Sequence, residues 1–218
     1  DIRDRLADGA YAAACTNARV IALTDWTLYP HMTGVWRMLV GEVYSKLTHR
    51  PHFFFDLVDP SSRSARDIHD MLQTLPLFEA HGPVTLGLNG NEANILAKLT
   101  GIALGSETSE SALALAAGLR EVLGISGVAI HRNHFAVASA GREEGGIAGP
   151  HCPNPLKSTG AGDRFNAGYV LGLLGGGSPG VCAALGCASA GFFVRRARSA
   201  TRAELCSFLE AWRDGSLE

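Results

Sequence analysis

One segment of this 218-residue chain sets both its architecture and its chemistry: KSTGAGDRFNAG, residues 157–168. The small residues Gly160, Ala161 and Gly162 precede a helical run, so the turn presents backbone N–H groups at a helix N-terminus and forms a cradle for an anion. A carboxylate at Asp163 would repel a bound phosphate. It therefore either caps the helix, a role worth about 1 kcal/mol for Asp, or accepts a proton from a hydroxyl that attacks the phosphate. The segment alone leaves both interpretations open.

Around this segment, short β-branched or aromatic runs alternate with longer stretches of helical periodicity. This alternation is typical of βαβ units around a mostly parallel sheet, so the predicted fold class is α/β. Strands are predicted at residues 19–23, 52–57, 84–88 and 127–130, followed by a hairpin-like pair at 135–140 and 146–149. Helices are predicted at residues 33–47, 64–78, 92–99, 109–123, 163–174, 181–194 and 203–212. Three prolines between residues 140 and 155 predict an irregular connector in that region.

Polar side chains follow the first four predicted strands directly. In an open parallel sheet the carboxyl ends of the strands form the edge that binds ligands, so these side chains are predicted to converge on one rim. The alternative is that they only cap helices and turn the chain, as polar loop residues commonly do. The residues are Asp25, Asp56, Asp59, Asn89, Glu92, His131 and Arg132.

The composition excludes several classes of protein. With 46% hydrophobic residues, 18% charged residues and a formal net charge of −2, the chain is too apolar to be disordered and lacks the basic character of nucleic-acid-binding proteins. No apolar run approaches the roughly 18 to 20 residues of a membrane span. Five cysteines without a C-x-x-C pair predict neither a disulfide framework nor a zinc site. We therefore expect a cytoplasmic protein that acts on a small molecule and binds neither nucleic acid nor membranes.

Residues 158–168 resemble the signature of the PfkB, or ribokinase-like, family of carbohydrate kinases, usually written D-T-T-G-A-G-D-x-F-x-x-G. The resemblance implies a three-layer α/β/α sandwich with a mostly parallel central sheet, formed by residues 1–218 as a single domain. It also implies that the amides of Gly160–Gly162 form the anion hole for the transferring phosphoryl group. In that family the final Asp of the motif, here Asp163, is the catalytic base.

A second motif agrees with the first. The sequence NGNE at residues 89–92 resembles the N-x-x-E motif of the family, which follows a strand and helps to hold Mg²⁺ and nucleotide phosphate, often through water. The matching positions are Asn89 and Glu92, although this pattern alone is also a common way to cap a helix. Mg²⁺ prefers oxygen ligands and keeps several waters. The resemblance further places Thr159 and Lys157 at the nucleotide, places residues 188–191 near the adenine, and implies ATP and Mg²⁺ as cofactors.

The sequence also departs from the family pattern. Members usually begin with a strand, sugar-binding residues, a Gly-Gly motif and a small β-lid, and nothing in residues 1–30 resembles these features. We therefore expect the natural protein to have an additional N-terminal segment. Lys157 stands where the family usually has an Asp of a monovalent-cation site, and its ammonium could supply the positive charge itself. Asn133 replaces a turn glycine, and the adjacent His131 or Arg132 could lie near the nucleotide.

Other enzyme classes fit the sequence poorly. Residues 176–180 match G-x-S-x-G, but a helix precedes Ser178, and Pro179 has no N–H for an oxyanion hole. Phe165 stands where a dinucleotide fingerprint needs glycine, and the G-K-[ST] of a P-loop is missing.

The predicted function is ATP-dependent phosphorylation of a sugar or sugar-like alcohol, with a homodimer as one possible assembly. The alternative is a non-catalytic nucleotide-binding or regulatory relative that has lost its acceptor site. Ribose, fructose, a keto-deoxy sugar acid and a nucleoside all remain open as acceptors.

Overall fold

The computed structural model describes residue 4 and residues 6–217 of the chain. The strands are β1 (Val20–Leu23), β2 (His52–Asp56), β3 (Val84–Asn89), β4 (Gly127–His131), β5 (Phe135–Ala140) and β6 (Glu143–Ala148). The helices labelled here are α1 (Ala10–Asn17), α2 (Met32–Glu42), α3 (Ala65–Leu72), α4 (Pro76–Glu79), α5 (Gly90–Thr100), α6 (Ser109–Leu123), α7 (Ala161–Leu174), α8 (Pro179–Arg196) and α9 (Arg202–Arg213). Short 3₁₀ turns lie at Trp26–Leu28, Tyr44–Lys46 and Pro60–Ser62.

The strands form a single sheet in the order β1-β2-β3-β4-β5-β6. Strands β1 to β4 are parallel, and β5 and β6 continue the sheet as an antiparallel hairpin. The predicted, mostly parallel sheet is therefore confirmed. Because β1 to β4 point the same way, their carboxyl ends lie along one edge, and the helices that connect them pack on one face of the sheet.

Helices cover both faces of the sheet, as predicted for a three-layer sandwich. On β2, Phe53 and Phe55 point into a core shared with α1, α2, α3, α5 and α6, whereas Phe54 points to the opposite face and packs with Phe165 and Tyr169 of α7. Helix α8 joins α7 on that second face, and α9 packs against α8. The period of two along an extended strand explains why one aromatic run can supply both cores.

Aromatic rings fill the larger core. Phe55 packs edge-on against Trp36 at 4.8 Å between ring centroids and against Phe78 at 4.9 Å. Phe53 meets Phe78 at 5.2 Å and Tyr44 at 4.9 Å. Each fully buried side chain of this size contributes roughly 1.5 to 3 kcal/mol through its removal from water. This aromatic cluster therefore fixes the position of β2 and of the strands paired with it, β1 and β3.

Three predicted elements differ from the structure. The helix predicted at residues 33–47 ends at Glu42, because Val43 adopts φ −117° and the chain continues as a 3₁₀ turn. The helix predicted at residues 64–78 is two helices, the second of which begins at Pro76, a residue that cannot continue a preceding helix. Six residues of the connector predicted at residues 140–155 form strand β6, whose register with β5 begins three residues earlier than the predicted start at 146.

Two expectations drawn from composition can be compared with the structure. The five cysteines are all free thiols, and Cys15, Cys182 and Cys187 lie buried in the interior. None of the helices in the described part of the chain combines the length and apolarity that crossing a membrane requires.

Helices α7 and α8 approach each other through glycine. A Cβ atom on Gly168 would overlap the backbone carbonyl of Leu185, and one on Gly172 would lie 2.7 Å from the Cα of Cys182. From the other side, a Cβ on Gly186 would lie 2.6 Å from the ring of Phe165. The two helix backbones therefore lie too close for any side chain between them, and this contact fixes the position of α7 over the sheet.

Replacing Gly168 should test this close approach. We expect Gly168→Ala to destabilise the protein by about 1 to 3 kcal/mol, because the new methyl group must displace the rigid backbone of α8. The matched control is Gly34→Ala in α2, where a Cβ would meet nothing within 4 Å. That variant should be neutral or up to about 1 kcal/mol more stable, because Ala is the better helix former. Urea denaturation midpoints measure both effects, and equal midpoints for the two variants would contradict the packing argument.

Candidate active site

The carboxyl ends of the parallel strands bring the predicted polar residues to one rim. Asp56, Asn89 and His131 are the last residues of β2, β3 and β4, and Asn89 lies opposite His131 in the register of the sheet. Asp25 follows β1 in a left-handed conformation with φ 62°, which is uncommon for a residue other than glycine. The predicted convergence of these side chains is present in the structure.

Helix α7 begins at this rim, two residues earlier than predicted. Gly160 is the N-cap residue, with φ 92°, and Ala161 is the first helical residue. Asp163 is therefore the third residue of the helix, so its interpretation as a plain N-cap is wrong. An acidic residue in the first turn still interacts favourably with the helix dipole.

The amides of the glycine-rich turn differ from one another. The N–H of Ala161 donates to the carbonyl of Ser158 at 3.0 Å and so closes the turn. Within the part of the chain that the structure describes, the amides of Gly160 and Gly162 donate to no protein group. Two of the three predicted anion-hole amides are therefore available to a ligand, and the third supports the turn.

Carboxyl groups cluster next to this turn. The pKa of Asp56 is raised to about 6, chiefly by burial and also by the negative charges of Asp163 and Asp25, while a hydrogen bond from Asn166 acts in the opposite direction. Asp163 is exposed to solvent yet close enough to act on the charge of Asp56. Asp163 thus has the accessibility that a proton acceptor for a ligand requires.

Asn89 and Glu92 form a reciprocal capping box at the start of α5. The Asn89 side-chain oxygen accepts from the amides of Asn91 at 2.9 Å and Glu92 at 3.0 Å, and Glu92 Oε2 accepts from the Asn89 amide at 2.7 Å. The pKa of Glu92 is raised to about 7, chiefly by burial and also by the charges of Asp56 and Asp59, while the hydrogen bond from the Asn89 amide lowers it. The motif therefore caps the N-terminus of helix α5, as one of its two interpretations predicts.

The same pair also suits a magnesium ion. A buried carboxyl whose neighbours are other carboxyls is stabilised in its ionised form by a cation. The described residues contain no group of three His, Cys, Asp or Glu side chains placed to enclose a metal. Mg²⁺ is commonly held by one or two carboxylates together with waters and substrate phosphates, so Glu92 and Asn89 fit that ion without an enclosed cage.

A cleft of about 540 Å³ opens beside the turn and the capping box. Of the predicted site residues, Asn89, Ala161 and Gly162 line it, whereas Asp163, Glu92, Gly160, Thr159 and Lys157 lie outside its lining. The other lining residues are Gly90, His131, Arg132, Asn133, Gly149, Pro150, His151, Cys152, Pro155, Ser158, Phe165, Cys187, Ala190, Gly191 and Val194.

Lys157 and Thr159 are both exposed residues next to the glycine-rich turn. The ammonium of Lys157 is 5.6 Å from the ring centroid of Phe193, and the Arg164 guanidinium is 5.1 Å from the same ring. A Cβ on Gly160 would lie 3.5 Å from that ring, so the two cations and the glycine-rich turn all approach Phe193.

His131, which the sequence predicts at the rim and near the nucleotide, forms part of the wall of the cleft. Its ring packs on Phe165 at 4.5 Å between centroids, and burial lowers its pKa to about 4. A Cβ on Gly162 would lie 3.7 Å from the His131 ring, so a neutral imidazole borders the glycine-rich turn. The position of His131 directly after a strand was the only signal of this role in the sequence.

The far wall is formed by loop 149–152 and helix α8. Arg195 donates to the carbonyls of Pro150 at 2.9 Å and His151 at 2.7 Å, and so binds the loop to the helix. Ala190 and Gly191, two of the residues that the family resemblance places near the adenine, line the cleft. Small side chains there leave room for a flat ring.

Comparison with known proteins agrees with this geometry. A family model described as prokaryotic ketohexokinase matches residues 1–212. The chain belongs to the prokaryotic ketohexokinase family. The resemblance to PfkB carbohydrate kinases is thereby confirmed. A curated ketohexokinase from Haloferax volcanii is 27% identical over 218 residues, which are 98% of this chain and 56% of that protein. The chain thus spans about half the length of this curated ketohexokinase.

Solved structures with the same fold include kinases of different acceptors. Ribokinase from Thermotoga maritima matches with a TM-score of 0.64 and 18% identity, over 91% of this chain and 59% of that one. A nucleoside kinase from Burkholderia thailandensis, in complex with inosine, matches with a TM-score of 0.59 and 17% identity, over 92% of this chain and 59% of that one. At this level of identity the likeness shows the ribokinase-like fold alone.

The raised pKa of Glu92 predicts a pH-dependent stability. Its pKa in the folded protein, about 7, exceeds the ordinary value of 4.5, so the unfolded chain ionises first as the pH rises. The contribution of Glu92 to the free energy of unfolding is complete below about pH 4.5. It falls by roughly 1 to 3 kcal/mol as the pH rises through 7. Glu92→Gln keeps an acceptor for the Asn89 amide but cannot ionise, so it should lack this loss.

Thermal or urea unfolding of both proteins between pH 4.5 and pH 8 measures the difference. His52 and His131, whose pKa values burial lowers to about 4, contribute the opposite slope, but equally in both proteins. Parallel stability curves for the two proteins would show that Glu92 ionises normally.

Proposed function

We propose that this chain provides the phosphoryl-transfer site of an ATP-dependent sugar kinase. One observation carries the proposal: the accessible Asp163 carboxylate lies in the first turn of α7, in the same turn as the unoccupied amides of Gly160 and Gly162, and Gly162 lines the cleft. A proton acceptor and an anion cradle within a single helical turn are the two groups that transfer of a phosphoryl group to a hydroxyl requires.

Asp163 accepts the proton of the attacking hydroxyl in this proposal. The Gly160 and Gly162 amides stabilise the negative charge that develops on the transferring group, and the positive end of the α7 dipole adds to their effect. Because Gly160 and the close packing of α7 on α8 fix these donors in advance, no reorganisation is needed at the moment of transfer. The Ala161 amide contributes by closing the turn.

The cleft is proposed to hold the nucleotide. Its phosphates would lie toward the glycine-rich turn, near Thr159 and Lys157, and its base toward the small residues of α8. Glu92 and Asn89 would hold Mg²⁺, which when bound screens the phosphate charges. The neutral His131 borders the turn without adding a charge of its own.

A ketose is the acceptor that best fits the comparisons. The family is described as prokaryotic ketohexokinase, and the curated relative is a ketohexokinase. Asp25 and Asp56 lie on the β1 and β2 side of Asp163, where their carboxyl groups can accept hydrogen bonds from a polyhydroxy compound. We therefore propose phosphorylation of a neutral keto sugar by the protein that contains this chain.

The replacement Asp163→Asn tests the proposed base. We expect sugar-dependent ADP formation to fall by roughly 10² to 10⁴, because Asn cannot accept the proton, while ADP binding is retained. A panel of ketoses, aldoses and nucleosides with Mg-ATP supplies the readout. The control is Asp214→Asn, which removes an exposed carboxylate paired with Arg213 on the distant α9.

Unchanged turnover of Asp163→Asn would remove this residue from the mechanism. ATP binding without turnover on any member of the panel would instead favour the alternative, a nucleotide-binding relative without catalysis. A binding protein has no need of an accessible carboxylate next to the phosphate cradle, and this favours the enzyme.

Lys157 predicts an activity that does not depend on potassium. Its ammonium approaches the Phe193 ring that also adjoins Gly160, and there it would supply a positive charge in place of a bound monovalent cation. Turnover should be the same in potassium and in tetramethylammonium at equal ionic strength. Lys157→Asp should lose activity in tetramethylammonium and regain part of it in potassium. Strong activation of the unmodified protein by potassium would refute this role.

A further inference from the structure

Arg132 is held at the rim by an unusual set of contacts. It follows β4, and its backbone N–H donates to the carbonyl of Phe135 at 2.8 Å. In its side chain, Nη1 donates to Glu107 at 3.0 Å and Nη2 to the side-chain oxygen of Asn94 at 3.3 Å. These contacts fix the guanidinium over the first turn of α5, on the wall of the cleft.

The guanidinium lies directly on Gly90, the first residue of α5. A Cβ there would be 2.8 Å from Arg132 Cζ and 2.9 Å from Nη1, so a side chain at this position would displace the guanidinium. A cation at this end of a helix is opposed by the helix dipole, whose positive pole lies at the N-terminus. Packing alone does not account for a charge in this place.

Two further features show that the charge is incompletely compensated. Nε of Arg132 is buried and has no hydrogen-bond partner among the described residues, which is a costly state for a donor. The ion-pair partner Glu107 is 81% exposed, and ion pairs with so exposed a carboxylate contribute little. The Arg132 guanidinium therefore retains charge and donor capacity for an anionic ligand.

We propose that Arg132 binds the phosphate chain of the nucleotide. This inference rests on the proposed function, because it assumes that the cleft holds a nucleotide. A phosphate beside Gly90 and Arg132 receives charge-assisted hydrogen bonds from the planar guanidinium and favourable interaction with the N-terminus of α5. The anion removes the repulsion between cation and dipole that the unliganded arrangement contains. Arg132 thus distinguishes nucleotides by their phosphates, not by their base.

The experiment compares a ligand that has phosphates with one that lacks them. ADP and adenosine are titrated by calorimetry into the unmodified chain and into Arg132→Gln. We expect the affinity for ADP to fall about tenfold to a hundredfold in the variant, with that for adenosine nearly unchanged. The control is Arg37→Gln, which removes an arginine paired with an exposed carboxylate, Asp70, outside the cleft. It should leave both affinities unchanged.

A second variant displaces the guanidinium without removing it. Gly90→Ala adds one methyl group where the guanidinium now lies, and Ala is well tolerated at the start of a helix. It should weaken ADP binding in the unmodified background and have no further effect in the Arg132→Gln background. This pair of backgrounds separates loss of the arginine contact from direct obstruction of the cleft by the methyl group.

The outcomes separate this inference from the proposed function. If the unmodified chain binds neither ADP nor adenosine, the nucleotide cleft is wrong and the role of Arg132 is overturned with it. If ADP binds but Arg132→Gln binds it equally well, the cleft stands and the role of Arg132 is overturned. The role is likewise overturned if adenosine and ADP lose affinity equally, or if Gly90→Ala has the same effect in both backgrounds.

Discussion

The position of helix α7 is the constraint on which the site depends. Gly160 starts the helix from a left-handed conformation, φ 92°, that costs an ordinary residue about 1 kcal/mol or more. A side chain there would also meet the ring of Phe193 at 3.5 Å and the carboxylate of Asp163 at 3.7 Å. Below this turn, Gly168 lets the helix lie against α8 without intervening side chains. A small shift of α7 would carry Asp163 and the two open amides away from the strand ends.

Much of the fold follows from local patterns that tertiary packing does not override. The run Phe53–Phe55 can only be a strand buried on both faces, and the alternation of such runs with helical stretches specifies the parallel sheet. Where the structure differs from the prediction, as in strand β6, contacts between residues distant in the sequence determine the result. Strand β6 contains Glu143, Gly145 and Gly146, which have little β propensity, and forms because β5 offers it a partner along six residues.

The candidate site was predictable where a residue follows a strand or lies in a motif, and not elsewhere. Asn89 and Asp56 reach the rim because the parallel register places them there. The far wall of the cleft depends on Arg195, which lies more than forty residues from the carbonyls it binds at Pro150 and His151. The near-neutral pKa of Glu92 likewise comes from burial and from carboxyl groups on other elements. Such effects depend on distances in space that spacing along the chain does not encode.

The strand ends also differ in charge from one side of the sheet to the other. Asp25 and Asp56 make the β1 and β2 side acidic, whereas the β4 side carries the neutral His131 and the guanidinium of Arg132. Such a separation of charge produces an electric field along the edge of the sheet, and this field acts on an approaching ligand before any contact forms. A molecule with an anionic tail and a neutral head will tend to arrive with its tail toward β4. Its on-rate should therefore depend on ionic strength.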